Sequence, residues 1–401
     1  MSACTKSSSL ILLKELKKLE KHELRIRDFV ENHMVDQDGM VLSFLCKKTL
    51  KPWTNDQLKQ FCGGLKVFEP SARGDMAGVL AYEDSLMATS EYGLSQIYRY
   101  KLEKQPEALA SASQQVFALL QVFYEGESFE RGYLPKPHGG MRKAALSHEI
   151  SPDQQIKALA TLRAYEAYAS PSLIKRIHHN LVALADYHIV RNFMHPRREC
   201  FIVTPENRPH HLSVLIPSLW IAYRITGKKS YLQHLLRFDS LLDDLAQGKN
   251  LFCDYNPASL YIEGFHLAMQ EGLKDQRLTE IIRRLWEGSV QQITADGQGY
   301  LSDRRISKTS RVLRLPSYAP IVDFYFPEIE AWRKALLVLE RLDDPRKMLY
   351  VDPPVSAKAL QEIKNTYHEV GSQSICETSV TSWLLAYWRL RAAWGKNKPL
   401  V

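Results

Sequence analysis

Two segments of the chain place an aspartate at the start of a predicted helix, one helical hairpin apart. Asp84 precedes a long amphipathic segment, and Asp153 follows Ser151 and Pro152, a serine suited to the N-cap and a proline suited to the first turn. Glycoside chemistry needs two carboxyl groups, one with a raised pKa, flanking the bond that breaks. We therefore predict that Asp84 and Asp153 form a catalytic acid/base pair. The alternative is that both only stabilise helix starts, where aspartate is favourable in any case.

The loop between these two helix starts carries further groups suited to sugar chemistry. His138 lies in its glycine-rich part, and His148 lies shortly before Asp153. Histidine can hydrogen-bond sugar hydroxyls or transfer protons near neutral pH. Arg142, in the same loop, could hold a carboxylate or a sulfate. We predict a catalytic role for His148 and substrate-binding roles for His138 and Arg142.

Four more residues are candidates because they lie at or near other predicted helix starts. Glu91 is two turns into the first helix, His211 lies at a loop-to-helix junction, Trp220 follows it, and Tyr255 precedes a later helix. We predict that all four bind substrate, with a buried core position as the competing interpretation for Trp220. Neither a metal nor a cofactor is predicted, since no nucleotide-binding loop, nucleophile elbow or HExxH motif is present.

Composition indicates a globular protein that does not bind nucleic acid. Hydrophobic residues make up 45% and charged residues 24% of the chain, and the formal charge is +8. Most basic residues are interspersed with acidic ones, and no aromatic platform for stacking bases accompanies them. One basic cluster is either a loop that binds an anionic substrate or a solvated loop; it comprises Arg304, Arg305, Lys308, Arg311 and Arg314.

The first residues of the chain leave two compartments open. The apolar run from Leu10 to Leu13 is too short for a membrane span or a signal sequence, which predicts a cytoplasmic protein. Ser2, Ala3 and Cys4 look like the end of a bacterial lipobox. If a signal ending before Cys4 was removed, the protein is lipid-anchored or periplasmic. The oligomeric state is not predicted.

Apolar residues recur at helical spacing through almost the whole chain. Helices are predicted over 14–32, 86–104, from Pro106 onward, 153–169, from Pro171 onward, 212–226, 229–246, 257–271, 277–293, 328–342 and 376–394. Short extended pieces are predicted near 40–45, 201–203 and 299–301.

The lengths of the connections predict how these helices are arranged. Short connections join helices into antiparallel hairpins, and long ones at 125–150, 192–210, 247–256 and 294–327 join one hairpin to the next. This pattern predicts an all-α fold, an (α/α)6 toroid with its long loops at one end. An open helical solenoid is the alternative, but no 34-residue repeat is present. Residues 1–32 are read as a tail and a helix, with 14–32 packed on a single toroid domain of residues 33–401.

Several short motifs resemble those of six-hairpin glycosidase-like proteins. They are Asp36-Gln37-Asp38-Gly39-Met40-Val41, Lys51-Pro52-Trp53, Tyr82-Glu83-Asp84, the Gly132-Tyr133-Leu134-Pro135 loop and Ser151-Pro152-Asp153-Gln154. In style they are similar to the unsaturated glucuronyl and unsaturated rhamnogalacturonyl hydrolases. The resemblance implies an (α/α)6 barrel with a sugar pocket at one mouth. It also implies two acidic residues, one of which protonates the double bond of an unsaturated uronic sugar and helps to activate water, at places that match Asp84 and Asp153.

These features together predict a carbohydrate-active hydrolase that acts on a short oligosaccharide, with acidic sugars among the options. One alternative is a sugar epimerase or isomerase on the same scaffold, which would depend on the histidines. Another is a carbohydrate-binding or scaffold protein without catalysis. The sequence does not discriminate between these alternatives, because one fold of this kind supports many functions.

Overall fold

Helices dominate the computed structural model, which describes residues 3–62, 75–147, 149–197, 201–301, 307–352, 361 and 367–395. In chain order they are α1 (Ala3–Lys18), α2 (Glu20–Phe29), α3 (Asn55–Cys62), α4 (Met76–Ala81), α5 (Ser85–Glu103), α6 (Pro106–Glu127), α7 (Pro152–Tyr165), α8 (Pro171–Val190), α9 (Leu212–Thr226), α10 (Ser230–Leu235), α11 (Asp239–Ala246), α12 (Tyr255–Gln270), α13 (Gln276–Val290), α14 (Arg314–Tyr325), α15 (Ala331–Arg341), α16 (Tyr367–Gly371) and α17 (Glu377–Gly395).

Short antiparallel strands decorate the loops. They are β1 (Leu45–Cys46), β2 (Lys51–Pro52), β3 (His195–Arg197), β4 (Phe201–Val203), β5 (Tyr300–Leu301), β6 (Ser307–Lys308) and β7 (Ser374–Ile375). Strand β1 lies between β2 and β7, while β3 pairs with β4 and β5 with β6. The β1–β7 pairing joins the N-terminal segment to the loop before the last helix, with Leu45 opposite Ile375.

Six helices form a closed inner ring. Each packs against the next in the order α5, α7, α9, α12, α14, α17, and α17 then packs against α5. The inner helices are buried on nearly every side, as in α17, where every residue from Glu377 to Leu390 is buried. A helix that is buried all round belongs in the interior of a layered fold.

The remaining long helices form an outer layer around this ring. Helices α6, α8, α13 and α15 each pack on an inner helix next to them in the chain, the pair α10 and α11 covers α9 and α13, and α1 and α2 pack against α17. The indole of Trp388 in α17 donates a hydrogen bond to Glu23 of α2 at 3.0 Å. In the described parts of the chain, no helix combines the length and the apolar run that a bilayer crossing requires.

A buried ion network fills the middle of the ring. Arg389 donates to Glu263 through two nitrogens at 3.0 and 2.8 Å. The Lys157 ammonium lies 3.1 Å from Glu263 and 3.3 Å from Glu91. The four residues come from α17, α12, α7 and α5, so the network ties together four of the six inner helices.

Three of the predicted elements differ from the structure. The region 294–327 was predicted as one long loop, but it contains the inner helix α14. Pro316 and Pro320 account for the wrong prediction, because proline usually interrupts a helix, whereas Pro316 lies in the first turn, where its missing N–H is not needed. The predicted helix 14–32 is two helices that meet at Leu19, and 229–246 is divided by a 3-10 turn from Leu236 to Phe238.

Candidate active site

Asp84 lies at the start of the inner helix α5, and its carboxyl group faces the start of the neighbouring inner helix α7. It occupies the N-cap position, yet its side chain makes no capping hydrogen bond. The carboxylate instead accepts a hydrogen bond from the Gln154 amide of α7 at 3.1 Å. The backbone N–H of Asp84 donates to the Ser43 hydroxyl at 3.0 Å. The side chain of Asp84 therefore contributes no capping hydrogen bond to its helix.

Asp153 lies at the start of the neighbouring inner helix α7. Its carboxylate accepts a hydrogen bond from the Ser151 hydroxyl and another from the Gln154 backbone N–H at 3.2 Å. The Asn256 amide of α12 reaches the other carboxylate oxygen at 3.5 Å. Gln154 therefore links the two aspartates, since its side chain bonds Asp84 and its backbone bonds Asp153.

The surroundings of Asp84 raise the pKa of its carboxyl group. Desolvation raises the pKa of Asp84 to about 6, opposed by the charge of Lys136 and reinforced by the charges of Glu83 and Asp153. Such a carboxyl is partly protonated near neutral pH and can donate a proton. The shared contacts with Gln154 bring the two carboxyl groups to neighbouring helix starts.

On one side of Asp84, a buried ion network surrounds Lys136. The Lys136 ammonium lies 2.5 Å from Glu83 and 3.4 Å from Glu149, and the His138 ring lies 2.9 Å from the other Glu83 oxygen. Burial alone would raise the pKa of Glu83, but Lys136 and His138 outweigh it and hold that pKa well below its usual range. Glu83, His138 and Glu149 offer three atoms within 4.8 Å of one another, as a metal site would. The ammonium of Lys136 already supplies the positive charge there.

A small cavity adjoins Asp153. Its volume is about 220 Å³, below the roughly 300–1,000 Å³ of drug-sized ligand sites, so it suits a ligand near the size of one sugar ring. The lining includes Asp153, His195, Arg208, His210, His211, Phe252 and Asn256.

His195 is the most deeply buried histidine of this cavity wall, with 2% of its surface exposed. Neither of its ring nitrogens has a hydrogen-bond partner in the part of the chain that the structure describes, and its ring lies 5.5 Å from that of His211. Burial lowers the pKa of His195 to about 4, so the ring is neutral at pH 7. A neutral imidazole can both donate to and accept from a sugar hydroxyl.

On the other side of Asp84 lie Glu377 and Arg314. Glu377 opens α17, is fully buried and accepts a hydrogen bond from the Phe44 backbone N–H at 3.2 Å. Phe44 holds the left-handed conformation, with φ of 50°, a state that non-glycine residues seldom adopt and that clusters at functional sites. Burial raises the pKa of Glu377 to about 8, and the charge of Asp84 contributes.

Of the residues predicted from the sequence, Asp153 and His211 line the cavity, and Asp84, which is not among the lining residues, is linked to Asp153 through Gln154. His138 is buried nearby, where its ring contacts Glu83 and Ser147. His148, predicted as a third catalytic residue, lies outside the described residues.

The other predicted residues have their polar contacts with groups other than the two aspartates. Arg142 is on the rim, with 80% of its side chain exposed and Asp38 at 3.6 Å. Glu91 belongs to the ion network inside the ring. The Tyr255 hydroxyl donates to the Gln292 backbone at 2.9 Å, and the Trp220 indole donates to Glu271, beyond the C-terminal end of α12. Trp220 thus lies at the end of the barrel opposite the aspartates.

Sequence reasoning did not single out His195, Arg208 or Arg314 as individual site residues. His195 and Arg208 lie in a long loop whose path across the mouth has no sequence signal. Arg314 was grouped with a basic loop, but it is buried and opens α14. Arg304 and Arg305, from the same predicted cluster, lie outside the described residues.

Comparison with known proteins identifies the fold. The chain matches no protein-family model, and no curated protein matches it. An unsaturated glucuronyl hydrolase specific for heparin has a similar structure, at 11% identity over 94% of this chain and 97% of that chain, with a TM-score of 0.54. An unsaturated glucuronyl hydrolase from Streptococcus agalactiae covers 95% of this chain and 90% of its own at 11% identity, with a TM-score of 0.50.

A possible member of the GH105 family from Klebsiella pneumoniae gives the same TM-score of 0.50 at 11% identity, over 94% of this chain and 93% of that chain. The predicted all-α toroid and its resemblance to six-hairpin glycosidases are therefore confirmed. At these identities the similarity concerns the fold.

Proposed function

We propose that this protein is a carbohydrate-active hydrolase that cleaves a short acidic oligosaccharide, with Asp84 as general acid and Asp153 as general base. The observation that carries the proposal is that two carboxyl groups from successive hairpins lie at one mouth in unlike surroundings. Desolvation and neighbouring carboxylates raise the pKa of Asp84, which is half-buried, whereas Asp153, also half-buried, lies on the cavity wall among polar groups. Carboxyl groups whose environments differ in this way commonly divide acid and base roles.

The reaction follows from this division. Asp84 donates its proton to the glycosidic oxygen as that oxygen leaves the anomeric carbon. Asp153 accepts a proton from the water molecule that attacks the same carbon. On an unsaturated uronic sugar, the same pair would protonate the double bond and activate water, which is the reaction that the resemblance implies. In both cases proton exchange with solvent restores the starting charges.

The fold neighbours suggest which substrates to test first. Two of them are unsaturated glucuronyl hydrolases, one described as specific for heparin. A panel should therefore contain short oligosaccharides that end in saturated or unsaturated uronic acids, together with neutral counterparts. The guanidinium of Arg208 beside Asp153 also suits an acidic sugar.

The experiment compares wild type with Asp84→Asn and Asp153→Asn on this panel. We expect each variant to reduce kcat by at least about 100-fold, the usual contribution of a general acid or base. Asp275→Asn is the matched control, because Asp275 caps the outer helix α13 away from the mouth. Full activity of Asp153→Asn on the best substrate would overturn the assignment.

The histidine wall of the cavity favours one second candidate, a sugar isomerase or epimerase. His195, His210 and His211 all line the cavity beside Asp153. An isomerase would convert the sugar without releasing a new reducing end, and replacing His195 or His211 would abolish that conversion. Product analysis by nuclear magnetic resonance separates the two functions.

A further inference from the structure

Arg314 is a buried guanidinium without a strong partner. Only 1% of its surface is exposed. Its Nε and Nη1 atoms have no hydrogen-bond partner among the described residues, and Nη2 only approaches the Met87 sulfur at 3.5 Å. Burying a charged group without compensation is costly, so such a side chain points to a ligand that completes it.

Other buried cations in the described part of the chain do have carboxylate partners. Lys136 contacts Glu83 and Glu149, while Lys157 and Arg389 both contact Glu263. Each of these cations holds together parts of the fold. Arg314 makes no comparable ion pair, which distinguishes it from the structural cations.

The position of Arg314 places it beside the proposed general acid. It opens the inner helix α14 and reaches across the mouth to Met87, one turn beyond Asp84 in α5. Its charge acts to lower the pKa of both Asp84 and Glu377. The charged and titratable groups that act on Asp84 from the surrounding elements are Glu83, Lys136, Asp153, Arg314, Glu377 and Tyr350.

We propose that Arg314 binds the acidic group of the substrate and thereby sets a preference for acidic over neutral sugars. The proposal rests on the proposed function, and it names the residue that recognises the charge. Guanidinium pairs well with carboxylate and sulfate because its donors match their oxygens in a planar fork. The low exposure of Arg314 fits the floor of a site, as does that of His195 on the cavity wall.

An anion bound to Arg314 would also change the protonation of Asp84, the proposed general acid. The positive charge of Arg314 favours the ionised form of Asp84. When an anionic group pairs with Arg314, that charge is neutralised, and the pKa of Asp84 rises. An acidic substrate therefore favours the protonated acid that its own cleavage requires, whereas a neutral sugar does not.

Arg208 is the competing candidate for this role. It lies on the opposite side of the mouth, half-buried in the cavity wall beside Asp153. Arg208 already interacts with another group of the protein. The two arginines therefore form a natural pair of test and control.

The test measures kcat/KM for two substrates that differ only in a carboxylate or a hydroxymethyl group. We expect Arg314→Met to lower kcat/KM for the acidic substrate by about 10- to 100-fold, the usual range for a charge-assisted hydrogen bond. The neutral substrate should show no such loss, because removing the charge of Arg314 favours the protonated form of Asp84. Arg314→Lys should restore part of the preference. An equal loss on both substrates, or loss of the preference in Arg208→Met but not in Arg314→Met, overturns the proposal.

A binding experiment separates this proposal from the proposed function. Calorimetry with free glucuronic acid and glucose measures charge recognition without turnover, in wild type and in Arg314→Met. If no substrate is cleaved but glucuronic acid binds through Arg314, the hydrolase proposal fails and the assignment of Arg314 stands. If Arg314→Met does not fold, Arg314→Gln takes its place, and an unchanged preference for glucuronic acid in that variant overturns the assignment.

Discussion

Glu83 and Asp84 are adjacent in the chain, yet their carboxyl groups ionise in opposite ways. Glu83 contacts Lys136 and His138, which hold its pKa well below the usual range despite burial. Asp84 has a hydrogen bond from an uncharged amide, and burial raises its pKa to about 6. Glu83 thus anchors the loop that carries Lys136 and His138, while the carboxyl group of Asp84 remains available for proton transfer.

Replacing Lys136 tests the anchoring role of this network. Lys136→Met leaves Glu83 and Glu149 buried without their cation, so we expect the free energy of unfolding to fall by about 3–5 kcal/mol at pH 7. In wild type, the lowered pKa of Glu83 gives stability that is present above about pH 4.5 and lost as the pH falls further. Lys136→Met lacks this stabilisation. The difference in the free energy of unfolding between wild type and Lys136→Met should therefore become smaller as the pH falls toward 4.

Urea unfolding at several pH values measures this difference. Lys143→Met is the matched control, because Lys143 lies in the same loop but is exposed. We expect that control to change the stability by less than about 0.5 kcal/mol. A Lys136→Met deficit that is equal at pH 4 and pH 7 would contradict the ion-network interpretation.

For Glu377 we expect stability to depend on pH in the opposite direction. Its pKa is raised from 4.5 to about 8, so its contribution to stability is fully present below about pH 4.5 and is lost as the pH rises through 8. Glu377→Gln keeps an acceptor for the Phe44 N–H and removes this loss. We expect the variant to gain stability over wild type by up to about 1.4 kcal/mol per pH unit between pH 5 and pH 8.

Chemical unfolding across this pH range is the measurement. Glu340→Gln, at an exposed position of α15, serves as the control and should show no such trend. Parallel stability curves for wild type and Glu377→Gln would show that Glu377 is ionised in the folded protein.

At the scale of elements, one glycine sets how closely two inner helices pack. A Cβ atom at Gly264 in α12 would lie 1.9 Å from the backbone oxygen of Ser213 in α9. Since backbone cannot move aside easily, we expect Gly264→Ala to lower the free energy of unfolding by about 1–3 kcal/mol or more. Thermal denaturation provides the measurement.

The matched control is Gly93→Ala in α5. There the nearest contacts of an added Cβ are the Cβ of Gln115 at 3.1 Å and a methyl carbon of Thr161 at 3.3 Å, so a shift of a few tenths of an ångström is enough to accommodate it. Alanine also favours the helix over glycine by up to about 1 kcal/mol. If both variants lose the same stability, the close approach of α9 and α12 is not what Gly264 provides.

Helical periodicity was enough to predict most of these elements. The predicted helices 86–104, 257–271 and 376–394 correspond to α5, α12 and α17 within two residues at each end. Helix α14 was not predicted, because Pro316 and Pro320 are residues that usually interrupt a helix. The positions of Asp84 and Asp153 at helix starts could be predicted because helix starts have a local sequence signature. The roles of Arg208, His195 and Arg314 could not be predicted. Their positions near the two aspartates depend on the paths of the loops and on the order of the helices around the ring.

At the scale of the whole molecule, the ring is closed by contacts between the first and last inner helices, α5 and α17. Residues far apart in the chain meet there, as when the Thr381 and Ser382 hydroxyls donate to Glu91 at 2.9 and 2.8 Å. All six inner helices begin at the mouth that holds the aspartates. Their N-terminal ends add positive potential there, which suits an anionic ligand.

The ion network in the ring provides the test at this scale. Arg389→Met leaves Glu263 buried with only Lys157, so we expect the free energy of unfolding to fall by about 3–5 kcal/mol. Arg391→Met is the control, since Arg391 is partly exposed and pairs with Glu103, and exposed pairs contribute about 1 kcal/mol or less. Equal effects of the two substitutions would show that the network does not hold the inner helices together.

In the proposed mechanism, Asp84 and Asp153 act on opposite sides of one bond in a bound sugar. The most direct measurement is a crystal structure of Asp84→Asn with the best acidic substrate of the panel. We predict that the scissile bond lies within about 3 Å of the residue 84 amide on one side, and that Asp153 reaches it directly or through one water on the other. A sugar bound away from these two residues, or a bond that only one of them can reach, would contradict the claim.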